Sequence, residues 1–518
     1  MTALKVIAWS DLTRRLSKRC PTPLLLLFTG IVLRLAIATF RLDRFWPDEH
    51  YQTLEPAFYL LNGFGVLSWE WTQGFRSWSL PALHVPPLAL AGWLGFPSGV
   101  GASIFVRAFY GVADALVWYR VVQWLFPAEK RTLPLSAAML LPSIALWGTS
   151  TLQDHLAMLL FWGVLPLIDD WNQQRHQGRP ERSRWGALIS GFVLFAIAIP
   201  KPQLAVLSFG TALALTFQSN HSRKILVLFG SLGACMAGLA AGLLDLLTVG
   251  RFAGTLLQQA LRGEQLSRSY GISPAFDYFR RLPELLGTEA LTLFAVLLFV
   301  VLLFIVVRVT RTSVPMASPF LTAREHGAQK QALLLPGVIL FVLFHSLIPH
   351  KETRFLLPVL PALLLMPLGF PTRLAPNLAS SFLRVAVKLV QKISAQASLL
   401  TLVALALALP VALSRPLPYS SVEVGDLEEW IRRDWQTQNK TAQINLCLIE
   451  TNWSFLRGSL GLGAPVRYIE NDPQIPGECH YAIIKAWRAA SLNLAISGTG
   501  TGARQPVARQ NDYLLYKF

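Results

Sequence analysis

The sequence predicts an all-α polytopic membrane protein: a bundle of about 11–12 transmembrane helices, by the length each crossing needs, followed by a small α/β domain outside the cytoplasm. Three observations predict it. Of the 518 residues, 53% are apolar and only 14% charged, against roughly 25% charged in an ordinary soluble domain. The mean hydropathy is +0.44. Lys and Arg outnumber Asp and Glu by 46 to 29, a net charge of +17, and they gather in alternate loops, as they do on the cytoplasmic side of membrane proteins. Such a composition excludes a disordered chain, a disulfide scaffold and a soluble multidomain enzyme. The surplus of basic charge orients helices, and no nucleic-acid partner is expected.

The elements follow in order. Residues 1–21 carry Lys5, Arg14, Arg15, Lys18 and Arg19 and are assigned to the cytoplasm. The first apolar run is read as a span and not as a cleaved signal, because 21 residues precede it and no small-residue site follows. Runs long and apolar enough for helices lie near 22–39, 82–97, 104–126, 133–148, 153–168, 185–200, 203–217, 225–247, 286–307, 331–349, 356–370 and 394–413. Basic loops at 169–185, 218–224, 308–330 and 371–393 are inner loops, which puts 40–80, 201–202, 248–285 and 350–355 outside. Alternation requires an odd number of crossings between 40–80 and 169–185, where four runs occur. One of 82–97, 133–148 and 153–168 is therefore expected to be interfacial or re-entrant. The domain plan is thus a cytoplasmic terminus at 1–21, a membrane domain at 22–414 whose first outer loop is 40–81, and an extracytoplasmic domain at 415–518.

That last segment has no long apolar run. It reads as a helix at 425–436, a strand at 442–450, a helix from 453, and strands near 466–469, 480–485 and 512–517. Cys447 and Cys479 both fall in it, and whether they pair in an oxidising compartment is open. Cys20 and Cys235 are read as unpaired. Sequons at Asn439 and Asn452 matter only in a eukaryotic secretory pathway.

Chemistry concentrates at two places. The first outer loop reads Arg44-Phe45-Trp46-Pro47-Asp48-Glu49-His50-Tyr51-Gln52, with Glu55 close behind. Carboxylates against a membrane are costly and mark function. Pro47 suits the first turn of an interfacial helix, with Asp48 and Glu49 near its positive end. A general base is preferred over a metal ligand, since no His, Cys and carboxylate spacing accompanies the pair. Further along, Trp69-Glu70 and Arg76-Ser77 suit sugar or phosphate recognition, although interfacial anchoring explains the aromatics equally well. The second place is His350-Lys351-Glu352-Thr353-Arg354-Phe355, closing a long apolar run. Arg supplies forked donors and Lys a point charge, a combination that suits a lipid phosphate; a snorkelling helix end with a local ion pair is the plainer alternative. Lys201, between two prolines, is a second phosphate partner or an anchor. Asp245 lies inside or at the end of a span, and Tyr270 opens the loop Tyr270-Gly271-Ile272-Ser273-Pro274.

Taken together, Phe45-x-Pro47-Asp48-Glu49-x-x-Gln52-x-x-Glu55, Trp69-Glu70, Arg76-Ser77, the hexad 350–355 and the loop Tyr270-Gly271-x-x-Pro274…Tyr278-Phe279…Leu282-Pro283 resemble glycosyltransferase family 22. These are GT-C-fold mannosyltransferases of lipid-linked-oligosaccharide and GPI-anchor assembly. The resemblance spans about residues 25–370. It implies transfer of mannose from a polyprenyl-phosphate (dolichyl-phosphate) carrier to a lipid-linked glycan, with inversion to an α-mannoside, at the periplasmic or lumenal face of a bacterial inner membrane or endoplasmic reticulum membrane. It implies Asp48 and Glu49 as catalytic acids, His350, Lys351, Arg354 and Lys201 around the donor phosphate, and Glu352, Gln52, Glu55, Trp69, Glu70, Arg76, Asp245 and Tyr270 in support. No cofactor or metal is expected, and a monomer is. Three departures stand out: Ser273 occupies a position often taken by His, Thr149-Ser150-Thr151-Leu152-Gln153-Asp154 only loosely follows the family's stretch, and Lys201 precedes Pro202 where Arg-Pro is usual. A lipid-sugar transporter is the rival from another class, and it would show internal repeats and deep mid-membrane charges. A GT-C enzyme for another sugar and an inactive scaffold homologue are the remaining alternatives.

Overall fold

The computed structural model describes residues 22–41, 47–128, 131–174, 180–218, 223–292, 295, 326–374, 407–413, 425–438, 443–449, 462, 464–470, 479–485, 508–510 and 513–517. The chain divides into two interleaved units. The first comprises Met1–Ile37, Gly111–Thr149 and Asp154–Ser414; the second comprises Ala38–Tyr110, Ser150–Gln153 and Arg415–Phe518.

The first unit is helical. Among the described residues, Thr22–Phe40, Gly99–Leu125 and Arg223–Val249 are long and apolar enough to cross a membrane, and Arg184–Ala198, Leu204–Phe217, Leu333–Leu347 and Thr353–Leu368 are shorter apolar helices. The expected runs near 286–307 and 394–413 lie mostly outside the described residues. The run at 133–148 forms two helices, Thr132–Leu140 and Pro142–Trp147. They break at Leu141, whose ψ of 123° is extended, because the ring of a following proline disfavours the helical region. The run at 153–168 lies within the 22-residue helix Gln153–Gln174.

The unit is held by polar nodes as well as apolar packing. Arg34 and Asp114 are both fully buried and pair at 2.7 Å. The Arg34 fork also donates to the carbonyls of Gly30, Ala138 and Met139, and Asp114 accepts from Trp118 Nε1 at 3.1 Å and meets His155 Nε2 at 3.1 Å. Such a charge pair is tolerated in an apolar interior only when its remaining donors and acceptors are used, as they are here. Helices also approach through glycine. A Cβ on Gly191 would collide with the Gly230 carbonyl, and one on Gly210 with the backbone of Gly337. Small residues at helix crossings are the usual device of membrane bundles.

One segment departs from the sequence expectation. The outer loop 248–285 contains a 16-residue helix, Gly254–Ser269. Asp245 accepts from Thr255 N at 2.9 Å and Thr255 Oγ1 at 2.5 Å, so it satisfies donors at that helix's start, where backbone N–H groups lack intrahelical partners.

In the second unit, the run at 82–97 forms only the nine-residue helix Val85–Trp93. At 1.5 Å per residue that is roughly 14 Å, half of what a ~30 Å hydrocarbon layer requires. The tail carries helix Gly425–Thr437 and strands β1 (Ile444–Ile449), β2 (Val466–Glu470), β3 (Tyr481–Lys485), β4 (Ala508–Gln510) and β5 (Tyr513–Lys517), in the order β2-β1-β3-β5-β4. β1 pairs in parallel with β2 and β3, and β5 runs antiparallel to β3 and β4. Leu427, Ile431 and Trp435, four residues apart on one helix face, pack with Ile444, Leu446 and Leu448 of β1. Strand alternation turns Cys447 to the opposite face, where it is bonded to Cys479 with Cα atoms 5.9 Å apart. Cys235 is free and exposed. The strands match expectation apart from β4, which the sequence reading lacked; the helix expected from 453 lies outside the described residues.

Candidate active site

Within the first outer loop a turn starts at Pro47. Pro47 donates no N–H, but its carbonyl accepts from His50 N at 2.9 Å and Tyr51 N at 3.1 Å. The backbone then widens into a π-turn, His50–Leu54, with all five side chains buried, before helix Glu55–Asn62. π-turns carry an extra residue per turn and recur at functional sites. Just before the turn stand two adjacent carboxylates with different surroundings. Glu49 is buried, and its Oε1 accepts from Ser150 Oγ at 2.8 Å and Thr151 N at 3.0 Å. Its backbone carbonyl accepts from Thr151 Oγ1 at 3.0 Å and from Thr53 Oγ1. Asp48 is only half-buried.

The same unit carries a relay of side chains. Gln153 Nε2 donates to Gln52 Oε1 at 2.5 Å, Arg76 Nη1 donates to Gln153 Oε1 at 3.1 Å, and Arg76 Nη2 pairs with Glu70 Oε1 at 2.7 Å. Glu55 is fully buried between His50 Nε2, at 3.2 Å, and Val66 N, which donates to its Oε1 at 2.8 Å. Trp69 is partly exposed beside Phe75, with ring centres 5.8 Å apart. Gln52, Glu55, Glu70 and Arg76 are thus framework for the loop that presents Asp48.

The first unit gathers the cationic residues. Phe355 is their hub: Lys201 Nζ lies 5.0 Å above its ring, the Arg354 guanidinium 5.5 Å away, and the His350 ring 6.2 Å away. Each cation has a carboxylate. Lys201 pairs with the fully buried Asp154, Arg354 pairs with Glu352, and His350 Nε2 meets Glu352 Oε1 at 2.8 Å. Lys351 Nζ donates to the carbonyls of Ile348 at 2.7 Å and Ser273 at 3.1 Å. Burial lowers the Lys351 ammonium below the usual lysine range, and the Asp277 carboxylate pulls it partly back. Asp277 itself is lowered, chiefly by its hydrogen bond from Arg281, at 2.7 Å.

The 270–281 loop is clasped to the hexad. Ser273 N donates to the Pro349 carbonyl at 2.9 Å, Thr353 Oγ1 donates to Glu284, and the exposed Tyr270 ring lies 5.7 Å from His350. Five cations and carboxylates, Lys201, Asp154, His350, Glu352 and Arg354, therefore share one small region. Asp245 serves the 254–269 helix instead. Asp154, Gln153, Ser150 and Thr151 were visible in the sequence only as a loose match at 149–154; their partners lie about a hundred or fewer positions away, which local spacing does not reveal. Among the described residues no three His, Cys, Asp or Glu side chains cluster as a metal site.

Comparison with known proteins bears on the family and the fold. The chain is 25% identical over 350 residues to GPI mannosyltransferase 3 of Yarrowia lipolytica, covering 64% of this chain and 60% of that one. It is 25% identical over 364 residues to GPI alpha-1,2-mannosyltransferase 3 of Homo sapiens, covering 65% and 55%. A shorter match, 32% over 123 residues, is to alpha-1,2-mannosyltransferase alg9 of Schizosaccharomyces pombe, covering 23% and 21%. The chain thus aligns with less than two thirds of these relatives' length. ArnT from Cupriavidus metallidurans, solved bound to undecaprenyl phosphate, shares the fold: the TM-score is 0.62 at 13% identity, over 95% of this chain and 97% of that one. This bears out the GT-C-type helical bundle with its small C-terminal sheet. The profile of the Alg9-like mannosyltransferases matches residues 25–455, which is most of the chain, and the protein belongs to that family.

Proposed function

We propose that this protein is an integral-membrane mannosyltransferase that moves mannose from a polyprenyl-phosphate carrier to a lipid-linked glycan at the non-cytosolic face. The observation that carries this reading is the set of Lys201, His350 and Arg354 about Phe355, with Lys351 beside them. A leaving lipid phosphate gains charge as its bond to the sugar breaks, and prearranged cations stabilise that charge best where water is scarce. Undecaprenyl phosphate bound to ArnT supports a lipid phosphate as the ligand of this cluster.

The chemistry asks for one base. Asp48 takes that role, removing the proton from the acceptor hydroxyl as its oxygen forms a bond to the anomeric carbon and the carbon–phosphate oxygen bond breaks. A single displacement on a β-linked donor inverts the centre and leaves an α-mannoside. Glu49, whose carboxylate is engaged by Ser150 and Thr151, holds the loop. The outer location follows from the distribution of basic loops.

Asp48→Asn keeps the size of the side chain and removes the base. Loss of a positioned general base costs about 10²–10⁴-fold, so transfer from polyprenyl-phosphate mannose should fall at least about a hundredfold. The variant should still insert in membranes. Transfer within a few-fold of the parent would overturn the assignment.

A further inference from the structure

Tyr278 is a buried group that the mechanism above does not use. It is 3% exposed, and among the described residues its hydroxyl makes no hydrogen bond. A buried hydroxyl without a partner costs a protein free energy, so its persistence calls for a reason outside the fold.

Its surroundings supply one. Tyr278 follows Asp277, whose charge acts on Lys351, in the first turn of the helical stretch 277–292. From the same stretch Glu284 accepts from Thr353 of the hexad, and the preceding loop is tied to it through Ser273, Pro349 and Lys351. The carboxylates that act electrostatically on Tyr278 include Asp154 and Glu352, the partners of Lys201 and Arg354. Burial first, then those carboxylates, raise the phenol above its usual range; Arg281 acts the other way. The hydroxyl therefore keeps its proton and remains a neutral donor across the physiological range. Lys201 and Arg354 are each balanced by a carboxylate, so an entering phosphate oxygen gains less from them than from two uncompensated cations. An unspent O–H donor on the segment that is hydrogen-bonded to the hexad answers that deficit without adding charge.

The geometry points to Tyr278 as a ligand-binding residue whose hydroxyl donates to a phosphate oxygen of the lipid carrier. This rests on the reading of the Lys201–Arg354 cluster as a phosphate site and adds a residue to it.

Tyr278→Phe removes one oxygen and leaves the ring. Since that oxygen bonds nothing in the described protein, the variant should melt at the parent's temperature or above it in detergent. Binding of polyprenyl phosphate, followed by the rise in melting temperature with added lipid, should weaken ten- to a hundredfold, as expected for a hydrogen bond to a charged acceptor worth about 1.5–3 kcal/mol. Polyprenyl-phosphate mannose should weaken by a similar factor, with its KM raised more than kcat is lowered. Several results would overturn the proposal: unchanged binding, weakening confined to the mannosylated lipid, a destabilised variant, or no binding of polyprenyl phosphate by the parent. Because binding of the sugar-free lipid is read without turnover, a parent that binds it but transfers no mannose would remove the mannosyltransferase reading and leave the Tyr278 comparison intact.

Discussion

Adjacent acids in the first outer loop illustrate how neighbours divide labour among identical functional groups. Asp48 and Glu49 share a backbone turn, yet Glu49 is buried against Ser150 and Thr151 while Asp48 stays half-buried. The Glu49 carboxylate is engaged within the loop, and Asp48 lies nearer the margin, where the proposed base would meet substrate. Lys351 carries a second consequence. Its ammonium is held below the ordinary lysine range by burial, and the protonated form is the one that attracts phosphate. Carrier affinity should therefore fall as pH rises through that lowered value, at a less alkaline pH than an ordinary lysine would give. A bound phosphate pulls the pKa back up, so binding takes up protons in that window. Titration calorimetry of polyprenyl phosphate in buffers of different ionisation enthalpy measures this uptake. It should vanish in Lys351→Met, and equal heats across buffers for the parent would contradict it. Asp277 has the opposite sign. Its carboxyl lies low because Arg281 donates to it, so its contribution to the 270–281 loop is present above the usual carboxylate range and is lost as pH falls through its own lower value. The hexad was legible at this scale because its residues are contiguous. Asp154 was not, since nothing in a linear spacing shows that it meets Lys201, and Tyr278 was visible only as part of the 270–283 loop.

Elements in this protein are set as much by breaks as by apolar length. The run at 82–97 reads like a span by composition, but Pro86 and Pro87 fix its start; Gly95, at φ 92°, ends it, so only Val85–Trp93 is helical. The opposite error occurs at Gly254–Ser269, a helix hidden by the polar or charged side chains Arg262, Glu264, Gln265, Ser267, Arg268 and Ser269 in its last turns, though Leu256, Leu257 and Leu261 are exposed on it. Long uninterrupted runs such as Thr22–Phe40 were legible because length and apolarity suffice; interfacial elements were not, because they mix both. Helix contacts yield a paired prediction. Gly191 meets the Gly230 backbone, whereas Gly263 has nothing within 4 Å. Gly191→Leu should sharply lower the yield of folded protein in detergent, as overpacking costs about 1–3 kcal/mol and more where backbone must move. Gly263→Ala should be neutral or stabilise by about 0.5–1 kcal/mol. Size-exclusion profiles and melting curves of the two variants check this, and similar behaviour of both would contradict the glycine-crossing account.

The whole molecule interleaves its units along the chain: the chain leaves the first at Ile37, re-enters at Gly111, and leaves again for four residues, Ser150–Gln153. Those four residues supply the partners of Glu49, Gln52 and Arg76, and the next residue, Asp154, holds Lys201. A short stretch that matched the family only loosely therefore holds the partners of the acid loop and, one residue on, of Lys201, which explains why the sequence displayed the acid loop and the hexad clearly but not what positions them. The tail was legible as alternating α/β elements because its strands alternate and its helix repeats every four residues; the parallel order of β1, β2 and β3 was not, since pairing is a property of the folded sheet. The bond between Cys447 and Cys479 closes a question that spacing left open. At this scale the central claim is catalytic, and one measurement addresses it most directly. Purified protein is incubated with labelled polyprenyl-phosphate mannose and lipid-linked glycans, and the product linkage is read by NMR. The account predicts label on the glycan as an α-mannoside, released polyprenyl phosphate in equal amount, and neither in Asp48→Asn. Label that crosses a vesicle bilayer without changing its carrier, or a β-linked product, would contradict it.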